Sequence, residues 1–445
     1  MIVTKPVSRR TLLAGAAATG AALAADALLP AASRAARPAD AVALTLWTNH
    51  DTVTDVPLFK KVLASFQAAH PGIQVNLTNQ TSAYYDSTLI STHAVSGTLP
   101  DIFYNRTFAT ADRANRGWTL NLNPLMQANH VTNSDFWPSE VAQETWKGQQ
   151  HSLPYDWSDF GIFYNKSIFD KKGIKYPPAD GNWTWDDLFT LAKQFVEVSG
   201  GRQTQWGLGI DPVAWGWPTV GYVLAWGGKW VSSDLRTFQV NTPEAVKLFQ
   251  ALQDGIYVSK ISPRGASMPA GFDPWLSGKL AMTINGSWAT LQERSLIGSR
   301  FGWDVAPLPK GPTGKRPISP AGGAWSIAAN SKHPNEAFAL IDFITSTRSC
   351  EILISEPVRS VPGRKSAVPL WVRTAKSGKL PPAHVSAFPD QLADAFPVAS
   401  VPYYNELATI TGNYVSAILN SKKSVKDTLA LWQRDGQAAI AKYQF

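Results

Sequence analysis

Aromatic residues stand beside short polar residues at several places in this chain. One such stretch is Trp47-Thr48-Asn49-His50-Asp51, and another is Tyr104-Asn105-Arg106. Further stretches of this kind are Tyr155-Asp156-Trp157, Trp215-Gly216-Trp217, Asn285-Gly286-Ser287-Trp288, Gly322-Gly323-Ala324-Trp325 and Tyr403-Tyr404. A sugar ring needs both residue types, because its C–H faces stack on flat aromatics and its hydroxyls require directional partners. The pattern therefore favours a cleft for a polyhydroxylated ligand.

Glycine next to several of these tryptophans favours loops over regular elements, since glycine weakens helices and strands. Polar or glycine neighbours place Trp47, Trp288 and Trp325 next to loops, so we predict that these residues present their rings to a ligand. Burial in a core is the alternative for each ring, because tryptophan is usually largely buried. Three other tryptophans fall within helix-like patterns and are assigned to packing: Trp185, Trp226 and Trp432.

Known catalytic and cofactor signatures are absent from the sequence. The chain has no His-Glu-x-x-His motif, no Gly-x-Ser-x-Gly motif and no Gly-rich phosphate loop with a lysine. Asp156 and Asp159 could meet in space as the paired carboxylates of a glycosidase, and the sequence leaves this open. We predict that the protein is not an enzyme and that it uses neither a cofactor nor a metal ion.

The net charge of +8 comes from scattered residues, and the densest basic groups, Lys171-Lys172 and Lys422-Lys423, are only pairs. A nucleic-acid-binding protein would normally concentrate its basic residues on one face, so we predict no nucleic-acid partner. Cys350 is the one cysteine, which excludes an internal disulfide. Its apolar neighbours predict a buried thiol.

The first 41 residues have the composition of a signal peptide followed by a disordered start. Arg9-Arg10 precede a run rich in Ala and Leu, and small residues then surround two candidate cleavage points. The paired arginines are typical of twin-arginine export, although a chance pair in a general secretory leader is the alternative. We expect a periplasmic protein without a lipid anchor, because no cysteine lies near the cleavage region.

Strand and helix patterns alternate along the rest of the chain. Residues 42–47 predict a buried strand, residues 58–66 a helix with one apolar face, and residues 73–77 and 101–104 two further strands. This β-α-β-α-β order predicts an α/β sheet with helices on both faces. Helix starts are predicted at Thr184, Thr242 and Ser424, since each can cap the apolar pattern that follows.

Four segments resemble the extracellular solute-binding proteins of sugar ABC importers, the family that includes maltose-binding protein. The segments follow one another in the family's order along the chain. They are Leu153-Pro154-Tyr155 with residues 161–169, residues 277–288 ending in Trp288, Ala306-Pro307-Leu308-Pro309, and Gly322-Gly323-Ala324-Trp325 with the helix near Phe338. With the first strand and Pro100-Asp101-Ile102, the resemblance covers nearly all of the chain after the leader.

The resemblance implies a two-lobed periplasmic-binding-protein fold of type II-like character, with a hinge and an interlobe ligand cleft. Lobe one would comprise residues 42–154 and 306–330, and lobe two residues 155–305 and 331–445. A sugar would be captured by lobe closure and passed to the membrane permease subunits of an ABC importer. We expect the protein to be a monomer.

The resemblance also implies a set of ligand-binding positions. The rim of the first lobe would carry Trp47, Asn49, Asp51 and Arg106. The second lobe would face it with Trp215, Trp217, Trp288 and Tyr403 or Tyr404, and we select Tyr404. Asp156, Gly323 and Trp325 complete the predicted site. Two alternatives remain at this stage: a secreted glycoside hydrolase or lyase, and a receptor for a non-sugar solute such as a polyamine, a phosphate ester or an iron chelate.

Overall fold

The computed structural model describes residues 41–50, 55–80, 85–210, 213, 216–264, 272–319, 321–354, 360–377, 380–396, 398 and 400–443. Residues 1–40 of the predicted leader segment and two predicted site residues, Asp51 and Trp215, lie outside these ranges. The described strands are β1 Val42–Thr48, β2 Ile73–Asn79, β3 Ile102–Arg106, β4 Thr145–Trp146, β5 Gln149–Gln150, β6 Leu153–Ser158, β7 Phe160–Asn165, β8 Glu197–Ser199, β9 Arg202–Gly209, β10 Leu280–Gly286, β11 Trp303–Pro307, β12 Ala321–Ile327 and β13 Val361–Pro362.

The α-helices are interleaved with these strands. They are α1 Asp55–Ala69, α2 Ile90–Val95, α3 Thr110–Asn115, α4 Asn123–Ala128, α5 Pro138–Gln143, α6 Lys166–Lys172, α7 Trp185–Lys193, α8 Trp217–Ala225, α9 Pro243–Tyr257, α10 Thr290–Ile297, α11 Pro334–Thr345, α12 Thr347–Ile354, α13 Val368–Ser377, α14 Ala387–Asp390, α15 Tyr404–Asn420 and α16 Val425–Ile440. The predicted helix starts at Thr184, Thr242 and Ser424 are confirmed, since each side chain caps the helix that follows, and Thr184 forms a capping box with Asp187.

The first lobe is organised around a six-stranded sheet with the order β13-β6-β12-β3-β1-β2. Strand β1 pairs in parallel with both β2 and β3, which confirms the predicted β-α-β-α-β unit. Strand β12 returns antiparallel between β3 and β6, so the carboxyl end of β3 lies beside the start of β12. This register places the predicted residues of the first lobe on neighbouring strands.

The core of the first lobe includes a helix that the sequence boundaries place elsewhere. Phe59, Val62 and Phe66 of α1 share one hydrophobic cluster with Phe338 and Ile341 of α11. Helix α11 therefore packs on the first sheet, and β13 pairs with β6 of the same sheet. The predicted assignment of residues 331–445 to lobe two is therefore corrected for α11 and β13, whereas α15 and α16 contribute Leu407, Val415 and Trp432 to the core of the second lobe.

The second lobe is organised around a five-stranded sheet with the order β11-β7-β10-β9-β8. Its core includes Trp185, Trp226 and Trp432, the three tryptophans predicted to pack. A third cluster contains Cys350, whose thiol is buried as predicted. Burial raises the pKa of the Cys350 thiol to about 12, so the thiol is protonated at neutral pH.

The chain crosses from the first sheet to the second at a single residue, Asp159. Strand β6 remains in the first sheet as far as Ser158, and β7 of the second sheet begins at Phe160. The first crossing therefore comes four residues after the predicted boundary. The return crossing follows Pro307, the last residue of β11, and β12 begins in the first sheet at Ala321. We call Asp159 and residues 308–319 the hinge.

Among the described residues, no helix combines the length and the apolar character that crossing a bilayer requires.

Candidate ligand-binding site

The first part of the site forms where β3, β12 and β6 lie side by side. Gly323 of β12 is the register partner of Arg106 on β3 and of Asp156 on β6. The Asp156 Oδ1 atom accepts hydrogen bonds from the Gly323 amide at 2.7 Å and from the Tyr104 hydroxyl at 3.3 Å. The Arg106 guanidinium lies 5.2 Å from the centre of the Tyr104 ring. We call Arg106, Asp156 and Gly323 the strand-edge group.

Glycine is required within the strand-edge group because other chain segments approach its backbone closely. A Cβ atom on Gly323 would lie 1.8 Å from the Tyr104 hydroxyl oxygen, and one on Gly322 would lie 2.0 Å from the Asp156 carbonyl oxygen. Both positions belong to β12. The interpretation of this glycine pair as a loop that presents Trp325 is therefore corrected: the glycines allow three strands to meet.

Trp325 lies in the core of the first lobe. Its side chain is 0% exposed, and its ring stacks on Phe59 with centroids 5.2 Å apart. The prediction that Trp325 offers its ring to a ligand does not agree with this placement. Trp47 of β1 is half-buried and meets the His93 ring edge-on at 4.7 Å, so its ring packs beside α2.

Asn49 follows β1 directly and is 7% exposed. Within the described part of the chain, neither Nδ2 nor Oδ1 of this side chain has a hydrogen-bond partner. Leaving a buried amide unsatisfied costs free energy, and native structures seldom do so without a reason. Asn49 thus has the capacity for two directional hydrogen bonds to a ligand.

Two buried carboxyl groups lie behind the strand-edge group. Glu140 and Glu144, on and just after α5, are both 0% exposed. Burial raises the pKa of Glu140 well above its usual range, and the neighbouring charges of Glu144 and Asp156 raise it further. Burial raises the pKa of Glu144 to about 7, although hydrogen bonds from Thr110 and Ser152 oppose the change. These groups make the interior behind β6 and β12 polar and sensitive to pH.

The second part of the site is an aromatic cluster in the second lobe, formed by Phe160, Trp217 and Trp288. Phe160 stacks on Trp217 with centroids 4.9 Å apart and meets Trp288 edge-on at 5.2 Å. The Trp217 and Trp288 centroids are 6.0 Å apart, so the structure brings these two predicted residues together. Both rings are partly exposed, which leaves aromatic surface for a ligand.

Gly286 sets the position of the Trp288 ring. It ends β10, and a Cβ atom at this position would lie 2.0 Å from two ring carbons of Trp288. The indole is thus laid directly over the glycine backbone. At the end of β10, the Asn285-Gly286-Ser287-Trp288 stretch therefore brings an indole ring directly against the backbone.

Tyr404, at the start of α15, contacts the first lobe. Its ring stacks on Phe108, which follows β3, with centroids 4.5 Å apart. The neighbouring Ser400 hydroxyl accepts a hydrogen bond from the Ala111 amide at 3.0 Å and donates one to the Phe108 carbonyl at 3.4 Å. The loop after β3 and the segment before α15 therefore hold the two lobes in contact.

The hinge lies between the strand-edge group and the aromatic cluster. Asp156 and Phe160 are four residues apart on nearly continuous extended chain, a separation of at most about 13 Å at roughly 3.3 Å per residue. The Ser287 amide donates a hydrogen bond to the Asp159 carbonyl at 2.9 Å. The residue before Trp288 is thereby attached to the crossing itself.

Phe160 and Phe108 are not among the site residues predicted from the sequence. Phe160 is the first residue of β7, directly before the Gly161 segment, and Phe108 lies two residues after Arg106. The signal that the sequence offers is position, because each of these two aromatic residues lies within two residues of a segment already identified. Within the described ranges, no group of His, Cys, Asp or Glu residues has the arrangement needed to hold a metal ion.

The whole-chain comparisons identify the family. Residues 23–349, more than half of the chain, match the family described as bacterial extracellular solute-binding protein. The chain belongs to this family. As a solute-binding protein, it has relatives that are named for binding rather than for catalysis.

Relatives of this solute-binding protein share most of its length. The multiple sugar-binding protein of Streptococcus mutans is 25% identical over 349 residues, which cover 75% of this chain and 77% of that protein. An ABC substrate-binding protein of Listeria monocytogenes, solved in complex with cycloalternan, has a TM-score of 0.76 at 20% identity and covers 90% of this chain and 100% of its own. A binding protein for cyclic alpha-maltosyl-1,6-maltose from Arthrobacter globiformis has a TM-score of 0.75 at 20% identity, with coverages of 91% and 100%. The two-lobed periplasmic-binding-protein fold is thus confirmed.

Proposed function

We propose that this solute-binding protein is the extracytoplasmic substrate-binding component of an ABC importer and that it captures a carbohydrate between its lobes. The observation that carries the proposal is the aromatic cluster of Phe160, Trp217 and Trp288, which adjoins a polar strand edge across a one-residue crossing. Flat rings on one side and hydrogen-bonding groups on the other match the two kinds of surface on a sugar. The ligands named for the Streptococcus mutans and Listeria monocytogenes proteins support the same class of ligand.

The two lobes contribute differently to the proposed contacts. Trp217 and Trp288 stack on the apolar faces of the sugar. Asn49 and Arg106 bind its hydroxyls, and Asp51 and Trp215 are kept as candidates from the sequence. Asp156 and Gly323 hold β6 and β12 together through their hydrogen bond of 2.7 Å, so Asp156 orients the strand edge and Trp325 supports it from the core.

Tyr404 has a separate role in the proposed mechanism. Its stack on Phe108 joins the loop after β3 to the start of α15, and a ligand that binds both lobes stabilises this arrangement. Ligand-driven closure needs only that the closed arrangement binds the sugar more tightly than the open one. Closure then presents both lobes together to the permease subunits. We further propose twin-arginine export to the periplasm, without a lipid anchor, and a monomeric state.

The purified protein is titrated with a panel of monosaccharides, oligosaccharides, sugar alcohols and glycosides. Intrinsic tryptophan fluorescence and calorimetry each measure binding. We expect at least one saccharide to change the fluorescence and to bind at roughly micromolar Kd, about 8 kcal/mol. Trp288→Ala should weaken this binding at least tenfold, about 1.4 kcal/mol, as loss of an aromatic anchor does elsewhere. Silence in both measurements across the panel would exclude a carbohydrate ligand, and binding of a polyamine or iron chelate instead would identify a receptor for another solute.

The matched control is Trp118→Ala. Trp118 is also half-buried and packs beside Arg116 at the end of α3, away from the aromatic cluster. This variant should retain the affinity of the unmodified protein. An equal loss of affinity in both variants would mean that Trp288 acts through general stability and not through contact with the sugar.

A further inference from the structure

A pocket of about 310 Å³ lies in the second lobe beside the aromatic cluster. Val220 and Leu224 of α8, one helical turn apart and therefore on one face, form one wall. The start of α15 forms a second wall with Tyr404 and Ala408, and residues 230–233 with Leu235 form a third. A cavity of about 150 Å³ is enough to hold benzene, so this pocket has room for an aromatic ring with substituents.

The lining of the pocket is unsuited to a sugar ring. Its described wall is formed mainly by aliphatic and aromatic side chains, and the hydroxyl groups among them belong to Ser232, Ser233 and Tyr404. The Ser232 hydroxyl already donates to Asp234 at 2.5 Å and accepts from the Thr237 amide at 2.9 Å. A sugar placed here would lose hydrogen bonds to water without replacing most of them, which costs free energy for each buried hydroxyl.

Several apolar side chains of this wall are only partly buried. Leu224, Trp230, Val231 and Leu235 all retain exposed surface, although they surround a concave space. Concave apolar surface that remains open to water is typical of a ligand site. An apolar occupant would cover this surface, and the gain would be proportional to the apolar area removed from water.

The pocket adjoins the proposed sugar site at two points. Gly216, which lines the pocket, directly precedes Trp217 of the aromatic cluster, and Tyr404 lines the pocket while its ring also stacks on Phe108. We propose that this pocket binds an apolar substituent, such as an aromatic aglycone, carried by the sugar that the cleft captures. This inference rests on the proposed function and specifies the ligand as a glycoside with an apolar group.

The experiment compares methyl and phenyl glycosides of the same sugar by calorimetry. The probes are the α- and β-glycosides of glucose, galactose and maltose. We expect that, for the sugar that binds, one phenyl glycoside binds at least tenfold more tightly than its methyl counterpart. Ala408→Leu, which fills the pocket, and Leu224→Ser, which makes its wall polar, should each remove that difference while retaining affinity for the methyl glycoside.

The control is Leu431→Ser, which changes a leucine that is 45% exposed on α16, outside the pocket lining. This variant should retain the preference for the phenyl glycoside. Equal affinity of phenyl and methyl glycosides, or a preference that persists in both pocket variants, would overturn the pocket assignment and leave the carbohydrate function intact. Absence of binding by every glycoside and by every saccharide of the larger panel would overturn both proposals.

Discussion

The two lobes prepare the cleft in opposite ways. The first lobe brings strands so close together that only glycine fits at Gly322 and Gly323, and it encloses carboxyl groups behind them. The second lobe brings together three aromatic rings and leaves two of them, Trp217 and Trp288, partly exposed. One side of the cleft is thus closely packed and polar, whereas the other offers apolar surface that a ligand can cover.

Because of this difference, substitutions in the two lobes should affect different quantities, namely the stability of the fold and the affinity for the ligand. A change at Asp156 or Gly323 should act mainly on the stability of the fold, because these two residues already hydrogen-bond to each other within the protein. A change in the aromatic cluster should act mainly on ligand affinity, because its exposed surface gains a partner only on binding. Three substitutions in the first lobe test how far this contrast extends.

The largest expected effect concerns the pH dependence of stability. The pKa of Glu144 rises from 4.5 to about 7 on folding because the carboxyl group is buried. The folded state therefore holds a proton that the unfolded state releases between these values, so stability falls as pH rises through this window and is constant above it. In Glu144→Gln this contribution is absent. Relative to the unmodified protein, the variant should gain about 3 kcal/mol in unfolding free energy between pH 4 and pH 7.5.

Urea denaturation of both proteins at a series of pH values measures this difference. Asp187→Asn serves as the control, since Asp187 lies on the surface of the second lobe and its pKa is lowered by hydrogen bonds from Thr184. The control should not gain stability as pH rises from 4 to 7.5. Parallel pH profiles for Glu144→Gln and the unmodified protein would mean that Glu144 ionises without penalty and that the first lobe is not closed to water.

The next effect concerns the close approach of strands at Gly323. In Gly323→Ala the added methyl group meets the Tyr104 hydroxyl oxygen at 1.8 Å, so β12 or the tyrosine must move. Overpacking of this kind costs about 2 kcal/mol of unfolding free energy. Gly302→Ala is the matched control, because its Cβ would meet only the Lys166 Cβ, at 3.8 Å. Equal stability of the two variants in urea would show that the strand edge adapts to a side chain.

The smallest effect tests whether the first lobe also contributes to affinity. Asn49→Ala removes a buried amide that has no hydrogen-bond partner among the described residues. It should weaken saccharide binding about fivefold, or roughly 1 kcal/mol, and leave the unfolding free energy unreduced. Asn129→Ala, at the exposed end of α4, should leave the affinity unchanged. If Asn49→Ala reduces stability but not affinity, Asn49 supports the fold and does not contact the ligand.

The fold could be predicted because local patterns and global architecture agree. The alternation of strands and helices from Val42 to Arg106 indicates the parallel unit, and the caps at Thr184, Thr242 and Ser424 are recognisable from neighbouring residues alone. The lobe to which α11 belongs could not be predicted from such local patterns. The apolar face of this helix specifies that it packs but not on which sheet, since both sheets offer an apolar surface.

The site could be predicted only in part. The family resemblance implies that Trp217 and Trp288 face the ligand, and the two rings do lie close together. The glycines before Trp325 favour a ligand-facing ring as well, yet Trp325 is fully buried. Glycine permits a loop, but it also permits the close approach of one strand to another. Only the register of β12 with β3 and β6 distinguishes these two uses.

One side chain connects both crossings of the hinge. The Gln391 amide nitrogen donates to the Asp159 carboxylate at 2.8 Å and to the Phe160 carbonyl at 2.6 Å, while its oxygen accepts from the Leu308 amide at 3.0 Å. Asp159 and Leu308 lie on two different segments of the chain that pass between the lobes. Because one side chain holds both segments, a rotation at one of them acts on the other through these hydrogen bonds, and we expect the two segments to move together when the lobes close.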